Sequence, residues 1–147
     1  MMKYLQKLGK ALMLPVAALP VAGILMGVGY LLAPGAMGVT GAATTGAAYT
    51  VGFLLIKAGG ALIDNMAWLF AIGAAVGLAD DHDGTAGLAG LVAFLMIQQL
   101  LSPAVVGAMR GMDADAQAAW LLTAEGIAFS KIAGNSFIGI LAAIIGA

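Results

Sequence analysis

Long uncharged apolar runs alternate with short polar breaks along this chain. The runs have the length of membrane helices rather than of core helices in a soluble domain. Pro15 to Leu32 carries no charge and as a helix would extend about 27 Å, close to the hydrocarbon thickness of a bilayer. Three further runs follow at Met66–Ala79, Gly84–Met109 and Ile132–Ala147. Allowing for caps and breaks, the pattern predicts membrane helices over 15–32, 62–79, 85–101 and 132–147. Asp64 and Asn65 stand where the second of these begins, and either side chain suits the free backbone N–H groups of a helix start.

The segments between the runs are read from their polar residues. In residues 1–14, Lys3, Lys7 and Lys10 recur at helical spacing, and Tyr4, Leu8 and Leu12 form the opposing apolar stripe. This predicts an interfacial amphipathic helix with its lysines toward the lipid headgroups, which places the amino terminus in the cytoplasm. Pro15 suits a helix start or break, and Pro20 is expected to kink the first span. Ala33–Thr50, rich in Gly, Ala and Thr, reads as an outer loop. Val51–Ile63 is apolar but carries Lys57 and the pair Gly59–Gly60. It reads as an amphipathic or re-entrant segment on the outer face, with one long tilted helix from Val51 to Ala79 as the alternative. Ala-Asp-Asp-His-Asp-Gly, residues 79–84, reads as a compact turn, cytoplasmic by alternation. Arg110, Asp113 and Asp115 mark an outer polar loop, and Ala114–Leu122 a short surface helix with Trp120 as an interfacial anchor. Glu125 is expected to pair with Lys131 or to contact another subunit. The last run ends without a polar flank, so the chain is expected to be part of a larger architecture, one partial membrane domain over 1–147.

Composition sharpens the class. Hydrophobic residues make up 63% of the chain and charged residues 9%, against roughly half and a quarter in soluble domains. So few charges could not clothe a water-soluble surface, and the fold class is an all-α integral membrane protein. It has an amino-terminal interfacial helix, three to four transmembrane helices and the outer-face segment. The net charge of −1 offers no basic surface to nucleic acid. The absence of cysteine excludes disulfides, thiolate metal sites and a cysteine nucleophile within the chain. The 22 glycines suit close helix packing in lipid. Gly23 with Gly27, and Gly73 with Gly77, are the pairs singled out for it.

Little in the chain carries chemistry. Asp80, Asp81, His82 and Asp83 form the densest polar cluster. Four adjacent side chains do not all face one ion, so a solvated turn ending at Gly84 is the expectation and no metal site is assigned. A nucleophilic triad needs a histidine beside the nucleophile, and the single histidine is in that turn. There is no phosphate-cradling loop or dinucleotide fingerprint. No catalytic residue and no cofactor are assigned.

Three blocks carry a family resemblance. LQKLGKALMLPVAALPVAGILMGVG, from Leu5 to Gly29, resembles the start of the membrane (IIC) component of bacterial sugar phosphotransferase permeases of the glucose, N-acetylglucosamine and maltose superfamily. ALIDNMAWLFAIGAAVGLADDHDGTAGLAGLVAFLM, residues 61–96, resembles the same family's next block, and KIAGNSFIGILAAIIGA, residues 131–147, the one after it. The resemblance implies a multi-pass protein of the bacterial inner membrane. It would work as a homodimer or with the rest of a permease, and would import a sugar that partner IIA and IIB domains phosphorylate. It implies further that this chain is the scaffold portion, not competent alone, with the sugar-binding residues beyond its end. What carries over is structural: the amphipathic start, the Asp64–Asn65 pair and the turn formed by Asp80, Asp81, Asp83 and Gly84. A stand-alone small membrane protein that binds or regulates a full-length permease is the alternative.

Overall fold

The computed structural model describes residues 2–80 and 83–147. Met1, Asp81 and His82, and the side chains of Tyr4 and Ala133, lie outside that description. The chain is an all-α membrane protein, with no strand among the described residues. Its helices are α1 (Met2–Ala11), α2 (Met13–Val16), α3 (Leu19–Leu32), α4 (Ala47–Asp64), α5 (Met66–Leu78), α6 (Gly84–Leu100), α7 (Pro103–Met109), α8 (Ala114–Leu121), α9 (Ala124–Ser130) and α10 (Ser136–Gly146), with 3-10 turns at Pro34–Met37 and Ile132–Gly134. The stretches Leu5–Leu32 and Ala47–Asp64 are long and apolar enough to cross a membrane; α6 and α7 together form a third candidate, bent by 53°.

The residues form two compact units. One is Val16–Asn65; the other joins the residues up to Pro15 to Met66–Ala147.

In the first unit α3 and α4 form an antiparallel hairpin. Gly46 begins α4 at φ 114° and ψ 164°, a backbone conformation that is essentially closed to residues with a side chain. The hairpin is held by small residues on facing sides. A Cβ on Gly29 would lie 2.7 Å from the Gly52 carbonyl oxygen, and one on Gly59 would lie 2.7 Å from that of Ala22. In lipid the hydrophobic effect does not drive helices together, so this close backbone approach and its dispersion contacts do.

The helix bounds correct the alternative of one long helix from Val51 to Ala79, since α4 ends at Asp64 and α5 begins at Met66. Residues 51–63 lie inside α4, a single 18-residue helix that meets the length and apolarity of a span. Gly59 does not break it, because Gly59 is the point of closest approach to α3. Lys57 is accommodated on the exposed side, its Nζ 5.3 Å from the Phe53 ring centroid. Pro20 sits in the first turn of α3, directly after the break between α2 and α3 at residues 17–18, so the interruption falls where a proline's missing N–H costs least.

In the second unit α5 is the central helix, packed against α6, α10 and α1. Its core is almost wholly small: Ala67, Ala71, Ala74, Ala75, Ala142 and Ala143 are fully covered, and Phe94 is the one large side chain buried to that degree among the described residues. The large apolar side chains of α6, such as Leu88, Val92 and Met96, point outward instead, as expected where lipid is the solvent. α5 and α10 are shorter than the predicted 62–79 and 132–147. At 13 and 11 residues they extend about 20 and 16 Å. Asn65 cuts off the first and the Ile132–Gly134 turn precedes the second. Helices α7, α8 and α9 form a cap of short segments between α6 and α10.

Candidate functional site

Among the described residues, two polar clusters stand out against the apolar background. The first docks the amphipathic start onto α5. Lys7 Nζ pairs with Asp80 Oδ1 just beyond the end of α5. One turn further along, a Cβ on Gly77 would meet Ala11 Cα at 2.6 Å; one turn further again, a Cβ on Gly73 would meet Pro15 Cδ at 3.0 Å. The pairs 7–80, 11–77 and 15–73 run in opposite chain directions, so α1 and α2 lie antiparallel along α5. Ala11 and Pro15 are buried by this contact.

A Cβ at Gly73 or Gly77 would thus run into the amino-terminal helix. Within this chain Gly23 and Gly27 face no neighbour: a Cβ at either would meet nothing within 4 Å. The packed face of α3 is the adjacent one, formed by Ala22, Met26, Gly29 and Ala33. The cue for it is a row at spacings of four, three and four that is small at Ala22, Gly29 and Ala33 and carries Met26 between them, matched by Gly52, Ile56 and Gly59 in α4.

The polar pairs resolve in different ways. Asn65 does not cap α5; its Nδ2 donates to the Ala61 carbonyl oxygen at 2.8 Å, closing the end of α4. Asp64 is the last residue of α4. Asp83 is the N-cap of α6, with Oδ2 accepting from the Thr85 hydroxyl at 3.1 Å, and Gly84 is the first helical residue after it. Asp80 thus pairs with α1 and Asp83 caps α6; the turn expected between them runs through Asp81 and His82, which lie outside the described residues.

The second cluster ties the short helices together. Arg110 follows α7, and its Nη2 lies 3.1 Å from Glu125 Oε1. Trp120 Nε1 donates to Glu125 Oε2 at 3.1 Å, and the guanidinium lies 5.6 Å from the Trp120 ring centroid. Gln117 Nε2 donates to the Pro103 carbonyl oxygen at 2.9 Å. This corrects two expectations. Glu125 pairs with Arg110 and not with Lys131. Trp120 is buried rather than an interfacial anchor, because its indole N–H finds a carboxylate within the chain and its ring packs on Phe129 at 5.7 Å. The predicted short helix is present as α8, with Asp113 as its N-cap.

The Trp120 N–H donor, followed by the Arg110 hydrogen bond and charge, holds the Glu125 carboxyl below its ordinary value of 4.5. A depressed carboxyl stabilises the fold above the ordinary pKa, and that contribution disappears as pH falls through the folded value. The apparent unfolding midpoint of the native chain should therefore exceed that of Glu125→Gln above pH 4.5, and the gap should close on acidification below it. A gap that persists unchanged down to pH 3 would mean that the carboxylate charge is not what holds the cluster.

Residues 9–147 match the family described as phosphotransferase system, EIIC. Among individual proteins, the chain is 36% identical over 97 residues to the N-acetylglucosamine-specific EIICB component of the PTS system of Bacillus subtilis, covering 66% of this chain and 18% of that protein. It is 38% identical over 98 residues to the glucose-specific EIICBA component of Staphylococcus saprophyticus, covering 66% of this chain and 14% of that one. The chain thus spans less than a fifth of the length of these relatives. No solved structure matches it.

Proposed function

The chain belongs to the phosphotransferase system EIIC family, and from that premise we propose that it is the amino-terminal scaffold portion of a glucose-type sugar permease. The permease would import glucose or N-acetylglucosamine, the sugars named for its relatives, coupled to phosphorylation by IIB and IIA partners. The observation that carries this reading is the family match over 9–147, almost the full chain. The names of the relatives, EIICB and EIICBA, support the IIB and IIA domains as partners. The lysines of α1 support a cytoplasmic amino terminus in the bacterial inner membrane. The open Gly23–Gly27 face supports a homodimer, or association with a further permease chain, through α3.

In this role the chain supplies helices and surfaces rather than chemistry, and sugar and phosphoryl groups are handled elsewhere in the assembly. Expressed as the only membrane component in a strain lacking glucose and N-acetylglucosamine permeases, it should give radiolabelled sugar uptake at background. Co-expression with the B. subtilis relative, deleted of the region that aligns to this chain, should restore uptake. Uptake by the chain alone would overturn the scaffold reading. Co-purification with an intact relative and no restoration would favour a stand-alone regulator.

A further inference from the structure

An apolar cavity of about 360 Å³ lies where α6 ends, lined by Leu100, Leu101, Val106, Met109, Arg110 and Phe129. The volume falls in the range of small-molecule sites, about 300–1,000 Å³. Five of the lining side chains are apolar. The sixth is Arg110. Its Nη2 lies 3.1 Å from Glu125 Oε1, so an anion that is not itself part of the lining stands directly beside the lining cation. Both side chains are about half exposed, at 44% and 51%, and so are open to a ligand.

The position of the cavity in the chain points to lipid. The 17 residues of α6 carry no charge and extend about 25 Å, most of the hydrocarbon thickness. The charged residues that follow before α10, Arg110, Asp113, Asp115, Glu125 and Lys131, all come after its end. α7 continues this apolar stretch past a 53° bend and ends at Arg110. The cavity therefore lies at the bend of that candidate span, where its apolar wall meets the first charge after it.

The paired charges narrow the class. A purely anionic head on Arg110 would meet the Glu125 carboxylate, and a purely cationic head would meet the guanidinium. A head that carries a phosphate and a primary ammonium on a short linker satisfies both. The guanidinium has five N–H donors, so its bond to Glu125 leaves others for a phosphate. The carboxylate can accept from a primary ammonium but gains no hydrogen bond from a trimethylated one.

We propose that this cavity holds an acyl chain of a phosphatidylethanolamine-class lipid, with the phosphate on Arg110 and the ammonium on Glu125. The site lies in the cap of short helices and does not depend on the assignment of a sugar.

Native mass spectrometry of the 147-residue chain tests this. The chain is released from detergent carrying equimolar phosphatidylethanolamine, phosphatidylcholine and phosphatidylglycerol with identical acyl chains. Phosphatidylethanolamine adducts should exceed phosphatidylcholine adducts by on the order of tenfold, the worth of one charge-assisted hydrogen bond. Glu125→Gln should bring that ratio near one. Val106→Trp, which fills the cavity, should reduce adducts of all three lipids. Equal retention of ethanolamine and choline heads would overturn the proposal. So would a preference that survives Glu125→Gln, stronger retention of phosphatidylglycerol, or displacement of the lipid by inorganic phosphate. If Val106→Trp does not fold by circular dichroism, the head-group comparison on the native chain and Glu125→Gln still decides.

Discussion

Replacing Gly139 with valine is expected to leave almost no folded chain in the membrane, whereas the same replacement at Gly23 should leave the fold intact. A Cβ at Gly139 would lie 2.2 Å from the Ala67 carbonyl oxygen and 3.0 Å from its carbonyl carbon. These are backbone atoms of α5, so no side-chain rotation relieves the clash; α10 must move away. That separation would uncover Ala67, Ala71 and Ala142, which form one core with Phe94. Such a core, alanines around a single buried phenylalanine, has little side-chain volume to refill the gap. Overpacking a core usually costs about 1–3 kcal/mol, and losing the α5–α10 contact as well raises the cost to about 4 kcal/mol or more, the range reserved for a short list of severe mechanisms. Against a total stability of about 5–15 kcal/mol, that is a large fraction. Gly90→Val should behave like Gly139→Val, since a Cβ there would meet the Ala71 carbonyl oxygen at 2.3 Å. The measurement is the monodisperse fraction of detergent-solubilised chain by size exclusion, with its thermal midpoint. A Gly139→Val chain that elutes and melts like the native one would show that α10 does not pack on α5 in this way.

Gly77→Val is expected to release α1 from α5 while the rest of the fold remains. The added side chain would run into Ala11, whose Cα and Cβ lie 2.6 and 2.7 Å from the Cβ position. Asp80→Asn should have a much smaller effect. The Asp80 side chain is 98% exposed, and exposed ion pairs are weak because water screens them and the side chains lose entropy in forming them. The order of effects, Gly77→Val far above Asp80→Asn, says that shape rather than charge docks the helix. A spin label at position 3 reads this directly. Its spectrum should become mobile, or take the character of a headgroup-bound helix, in Gly77→Val, and stay close to native in Asp80→Asn. Equal mobilisation by both, or a larger change from Asp80→Asn, would reverse the ranking.

The legibility of the fold follows from the same physics. Uncharged runs long enough to cross lipid are visible residue by residue, because each charge inside hydrocarbon is costly. The helical class and the amphipathic start could therefore be read directly, and so could Asp113 and Asp83 as breaks between helices. The continuity of α4 could not. Lys57 and Gly59 look like interruptions along the chain, and only the closeness of α3 shows why a glycine is wanted there. The spacing of Gly23 and Gly27 matches that of a packing motif, yet the packed face lies one residue away, since the spacing of small residues does not say which face meets a partner.

The second cluster shows the limit most sharply. Arg110 and Glu125 are 15 positions apart, and nothing in their local sequence selects this pairing over Glu125 with Lys131. Their meeting depends on two turns between short helices, and those turns are held by Asp113, Gln117 and Thr123. The sequence by itself determined the solvent, the helical class and the family blocks, because these depend on composition and local order. The tertiary structure alone decided which small residues touch, where α1 docks and which charges pair. Those outcomes depend on the direction in which each helix face points, and a difference of one residue turns a face by about 100°.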